Sequence, residues 1–125
     1  MDLGIQRQTI VRVAFDNAIT VFIEGHSVLT IETELIVEQP DAGTVSVDPG
    51  KLDAAVKSVT DLLHREIAAA DADESGSLII ALDDGSGIRV MPHASFEAWS
   101  MVGPGDRRIV CKPGGGLSVW SPTSE

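Results

Sequence analysis

The sequence predicts an α+β domain: mainly antiparallel sheet, or a partly closed barrel, with one amphipathic helix packed on one face. Three observations carry this. Residues 9–37 alternate apolar and polar side chains with a period of two, the signature of strands with one buried face. Residues 50–70 instead space their apolar side chains by three and four, as a helix does. From residue 77 onward, short apolar runs alternate with glycine-rich turns.

The elements follow in order. In residues 9–15, Val11, Val13 and Phe15 alternate with Ile10, Arg12 and Ala14. In residues 18–24, Ile19, Val21 and Ile23 share one face and Thr20, Phe22 and Glu24 the other. Asp16-Asn17 makes a tight turn between them, because both residues tolerate left-handed backbone angles. After Glu24-Gly25-His26, residues 28–37 read as one third strand. Residues 39–43 break it, and residues 44–47 form a short extra strand.

Asp48 and Pro49 then open the predicted helix. Asp48 accepts from an orphan backbone N–H, and Pro49 at the first helical position lacks the N–H that would go unpaired. The apolar stripe is Leu52, Ala55, Val56, Val59, Leu62, Leu63 and Ile67, with Lys51, Lys57, Asp61, Arg65 and Glu66 off it. Beyond the polar residues 71–76, strands resume at 77–82 and 87–91, flanking the hairpin signal Asp83-Asp84-Gly85-Ser86. Residues 96–102, 107–112 and 117–120 follow, separated by Gly103-Pro104-Gly105-Asp106 and Pro113-Gly114-Gly115-Gly116. A chain of 125 residues fits a single domain over 1–120, with 121–125 as a frayed tail. Residues 19–31 and 78–90 echo one another, Gly25 matching Gly85; either an old duplication or the common form of hairpins explains this.

Composition narrows the partners. The hydrophobic fraction of 43% supports a real core, and with only two Trp, three Phe and no Tyr that core rests on aliphatic side chains. The net charge is −10, and residues 13–50 hold seven acidic residues with no Lys or Arg. Such a stretch is repelled by nucleic acid and by anionic membranes. It suits either a solvated surface or a docking face for a basic protein. Cys111 stands alone, which excludes an intrachain disulfide. The first residues lack a basic region followed by an apolar run, and the longest aliphatic run, residues 78–82, is far short of the ~20 residues that span a bilayer. The expected location is cytoplasmic.

Motifs that carry chemistry are weak. Asp71, Asp73, Ser75 and Gly76 imitate the start of a calcium loop, but the twelfth position, where a bidentate carboxylate closes such a site, is Leu82. His26, His64 and His93 lack the paired spacing of zinc ligands. Cys111 lies in an apolar run, as buried structural cysteines do, and no serine has the flanking glycines of a nucleophile elbow. No catalytic residue, metal or cofactor is expected. One basic, glycine-rich neighbourhood remains: Arg107, Arg108, Lys112, Gly114, Gly115 and Gly116, where backbone N–H groups could cradle an anion or small ligand. A strand rather than a helix follows it, so a plain hairpin turn competes with that reading.

Phe22 and Ile79 alternate to the face opposite their strands' main apolar set. One helix cannot cover both faces of so many strands, so sheet closure, a second layer or another subunit must. Phe22, Ile79, Trp99 and Trp120 are therefore the candidate interface residues.

The runs Phe96-Glu97-Ala98-Trp99, Gly103-Pro104 and Val110 through Trp120, with the Asp84-Gly85 hairpin, resemble a family of small uncharacterised domains of actinobacteria, including mycobacteria. The resemblance implies a cytoplasmic bacterial protein and nothing about its chemistry. The expected function is a non-enzymatic interaction module that self-associates as a homodimer. One alternative is a small-ligand-binding or enzymatic domain with its pocket near the Gly-rich C-terminal turns. Another is an immunity or antitoxin-type protein that neutralises a basic partner.

Overall fold

The computed structural model describes residues 1–120; the tail expected at 121–125 lies outside them. Among the described residues eleven strands form two antiparallel sheets. The six-stranded sheet runs β1 (Ile10–Phe15), β2 (Ile19–Ile23), β3 (Ser27–Ile31), β9 (Trp99–Val102), β10 (Arg108–Cys111) and β11 (Leu117–Trp120). The five-stranded sheet runs β5 (Gly43–Val47), β4 (Leu35–Gln39), β8 (Gly87–Val90), β7 (Leu78–Leu82) and β6 (Ile67–Ala72). One short α-helix, α1 (Val56–Thr60), and a 3-10 turn, Pro104–Asp106, complete the order of the described residues.

The core lies between the sheets. In the larger sheet the inward row Val13, Val21, Leu29, Met101, Ile109 and Val119 crosses all six strands. The row Val45, Val37, Ile88, Ile80 and Ala70 does the same in the smaller sheet. Buried side chains of both sheets form a single cluster. Two inner faces packed together replace the sheet-and-helix pairing that the periodicity suggested.

The strands do not close into a barrel. β5 and β11 are edges with one strand partner each among the described residues. On the other side the sheets are joined by the N-terminal segment. Residues 1–10 run antiparallel to 64–72, through Ala72 N–H to the Met1 carbonyl, Leu3 N–H to Ala70, Arg7 N–H to Ile67 and Ile67 N–H to Gln8. Ile10 then enters the larger sheet as the first residue of β1.

These bonds also explain why the long helix is wrong. His64 takes a left-handed φ of 70° and donates its N–H to the Ile10 carbonyl, which ends any helix there. The Ala-rich residues 68–70 pair with β7 on one side, Ala70 also accepts from Leu3 of the N-terminal segment on the other, and this tertiary pairing overrides their helical preference. Asp48 accepts from the Gly50 N–H in a local turn, eight residues before α1 begins. Of the predicted stripe, Val59 and Leu62 are buried, Leu63 is half-buried, Leu52 is 47% exposed, and Ile67 belongs to a strand.

The single strand expected over 28–37 is two. β3 and β4 lie in different sheets, and residues 32–34 carry the chain across. The crossing keeps the alternation in phase: Leu29, Ile31, Leu35 and Val37 are all buried. The two echoing segments become the hairpins β2–β3 and β7–β8, one in each sheet, with Gly25 and Gly85 both left-handed at φ 85° and 88°.

Candidate functional site

The outer face of the six-stranded sheet has a composition unlike the rest of the chain. Register places Arg12, Phe22, Val28, Val102, Arg108 and Trp120 side by side, one from each strand. The adjoining row on that face is Ala14, Thr20, Thr30, Ser100, Val110 and Ser118. Neither row contains a carboxylate, in a protein with 19 acidic residues against nine Lys and Arg. The guanidinium carbon of Arg12 lies 5.0 Å from the Phe22 ring centroid, and that of Arg108 lies 5.8 Å from Trp120. Cation–π pairing of this kind holds each arginine against the sheet beside its aromatic partner. Between the pairs, Val102 is 46% exposed and Val28 is half-buried.

The candidate interface residues divide. Phe22 and Trp120 lie on this face, Trp120 at 53% exposure. Ile79, 50% exposed, is on the outer face of the other sheet, in a row with Asp71, Arg89 and Ile36. That face is more acidic, and its Arg89 is held 2.7 Å from Glu38. Trp99 is a core residue and not an interface residue: it is fully buried and its indole N–H donates to the Gly76 carbonyl. Sequence reasoning missed Arg12, Val28 and Val102. Alternation gives their parity, but only the pairing register puts them in one row.

The basic, glycine-rich candidates are not brought together. Arg107 turns toward the N-terminal segment and donates to the Leu3 carbonyl at 3.1 Å, while Arg108 lies on the outer face. The N–H groups of the turn are already used: Gly114 donates to His93, Gly115 to Lys112 and Gly116 to Ser75, at 2.8, 2.9 and 2.7 Å. All three glycines have positive φ, so the turn requires them, but they fasten the β10–β11 hairpin to its neighbours and leave no N–H to cradle an anion.

Other chemistry is sparse. Asp73 accepts from the Ser75 hydroxyl and from the Ser75 and Ser77 N–H groups, and the Ser75 hydroxyl bond is the main reason its carboxyl lies below the usual range. Asp71 lies in β6 with its side chain outward, away from that turn. Among the described residues no three His, Cys, Asp or Glu side chains are grouped to hold a metal. Cys111 is buried, and that burial pushes its thiol up. A cleft of about 340 Å³ between α1 and the end of β4 is lined by Glu38, Asp61, Arg65, Asp84 and Ser86. Its charges pair locally: Arg65 lies 3.2 Å from Asp84, and Lys57 lies 3.0 Å from Asp61. Its Ser86 hydroxyl donates to the Asp84 carboxylate, which Arg65 also faces. Among the described residues no helix is long and apolar enough to cross a membrane.

Compared with known proteins, the chain belongs to the family described as a family of unknown function, DUF6188, whose model matches residues 1–121. No curated protein and no solved structure matches it.

Proposed function

We propose that this member of a family of unknown function is a non-enzymatic interaction module that pairs with a second copy of itself through the outer face of the six-stranded sheet. The observation that carries the reading is the carboxylate-free row from Arg12 to Trp120 in a chain of net charge −10. Two such molecules repel one another at a distance. Contact through this face keeps their acidic side chains out of the interface and lets Phe22, Val28, Val102 and Trp120 leave water together. Six strands at ~4.8 Å spacing make the face about 24 Å wide, a patch of several hundred Å², which points to a dimer of modest affinity. A cytoplasmic location and an actinobacterial source fit the same reading and rest on the C-terminal resemblance alone.

Sedimentation velocity, from high micromolar to well below micromolar concentration, tests it. The expected result is a reversible dimer that tightens as salt screens the net repulsion. Val102→Asp puts a charge in the middle of the face and should give a monomer, whereas Ile79→Asp on the opposite sheet should leave the dimer intact. A monomeric mass at every concentration, or a dimer unaffected by Val102→Asp, overturns the proposal. A basic protein partner is a different reading; binding to one would weaken with salt.

A further inference from the structure

A cavity of about 80 Å³ lies where the N-terminal segment meets the inner side of β9 and β10. Three polar side chains line it: Gln8, Ser27 and Arg107, and Met101 and Ile109 supply apolar wall. Arg107 is half-buried, yet its ion-pair partner is missing among the described residues; its one bond there is to the Leu3 carbonyl. A partly desolvated guanidinium without a carboxylate partner is a fitting contact for an anion. Ser27 is only 4% exposed, and its hydroxyl is a second donor. Gln8 presents the opposite need: its Oε1 is buried with no hydrogen-bond partner, and an acceptor left so is costly.

We infer that this cavity is a binding site for a short α-hydroxy carboxylate. The carboxylate takes the two donors, Arg107 and Ser27, and the hydroxyl donates to Gln8 Oε1. A methylene rests against Met101 and Ile109. Size agrees: water occupies about 30 Å³ in the liquid, so the space suits two or three waters or one solute of about five heavy atoms. An amino acid satisfies Gln8 equally well but sets its ammonium beside the guanidinium, which disfavours it.

The test is an NMR titration of the whole protein with glycolate, following the Gly103 amide and the Met101 methyl, with acetate, glycine and chloride as comparisons. The expected result is saturable shifts with glycolate, binding about fivefold or more weaker for acetate, which leaves Gln8 unpaired, and no saturation with chloride. Arg107→Gln should abolish binding. Because Arg107 also holds Leu3, Ser27→Ala provides a second variant that leaves that bond in place, and it should weaken glycolate several-fold. Three outcomes overturn the proposal: no saturation by glycolate, which means that water alone fills the cavity; equal shifts with chloride; or undiminished binding in both variants. The dimer is read from molecular mass, so failure of either idea is distinguishable from failure of the other.

Discussion

Trp99 in β9 donates its buried indole N–H to the carbonyl of Gly76 at 2.8 Å, tying the larger sheet to the turn that joins β6 and β7 of the smaller one. Gly76 has a φ of +97°, and a Cβ there would meet Cys111 Sγ at 2.7 Å. The same turn receives the Gly116 N–H on the Ser75 carbonyl. Two turns and the indole of a core tryptophan thus converge beside one glycine. Trp99→Phe should cost at least ~1–3 kcal/mol, because it leaves a buried carbonyl without its donor. Gly76→Ala should destabilise more than Gly43→Ala, whose site is equally left-handed but has nothing within 4 Å of the added carbon. Adding Cys111→Ala to Gly76→Ala should restore part of the loss by removing the clash, a coupling that a double-mutant cycle in urea reads directly.

Calcium should leave the melting temperature unchanged. Asp73 spends its carboxylate on Ser75 and Ser77, and Asp71 points outward from a strand, so the two oxygens that the sequence brings together are kept apart by the fold. A ligand that binds only the native state raises its melting temperature by mass action. A rise at millimolar calcium that disappears in Asp73→Asn would show that the turn opens to form a site.

Legibility in the sequence followed locality. The β2, β7, β8 and β11 segments and the β7–β8 hairpin are readable because alternation and turn residues lie within a dozen positions of one another. The β3–β4 passage was not: the chain changes sheets over residues 32–34 without disturbing the period of two, so one alternating run conceals two strands. Residues 67–72 failed for the opposite reason. Their alanines favour helix locally, and pairing with β7 on one side and with a segment some sixty positions earlier on the other holds them as a strand. The candidate face behaves likewise. Phe22 and Trp120 stood out by parity and size, but Arg12 joins them only through register, and the small cavity depends on Gln8, Ser27 and Arg107 meeting from three distant segments.

The helix and the turn that follows it nevertheless contribute to the core, through fewer residues than the sequence stripe suggested. Val59 and Leu62 are at 0% and 3% exposure, while Leu63 is half-buried. Leu62→Ala should therefore cost ~2–5 kcal/mol by leaving a cavity, and Leu63→Ala less. Lys57→Ala removes only an exposed ion pair with Asp61 and should stay within ~0.5 kcal/mol. Equilibrium urea denaturation ranks the three. If Leu63→Ala proves the costliest, α1 packs on a different face from the one described.

The last prediction concerns acid. Asp84 accepts from the Ser86 hydroxyl and N–H and lies beside Arg65; the hydroxyl bond is the main cause, and the charge a lesser one, of a carboxyl held below its ordinary value near 3.8. Asp73 is lowered in the same direction, chiefly by the Ser75 hydroxyl. A carboxyl whose folded pKa is depressed stabilises the fold fully above its unfolded pKa, and that contribution is lost as pH falls through the lower folded value. Stability should thus be insensitive to these two groups near neutrality and decline below about pH 4. Asp84→Asn keeps an acceptor for Ser86 but cannot titrate. The variant should be less stable than the parent at pH 6, and the gap should narrow as pH is lowered toward 2.5. Urea midpoints measured at both pH values decide it: a gap that stays constant or widens in acid would mean that Asp84 stabilises through shape rather than through its charge.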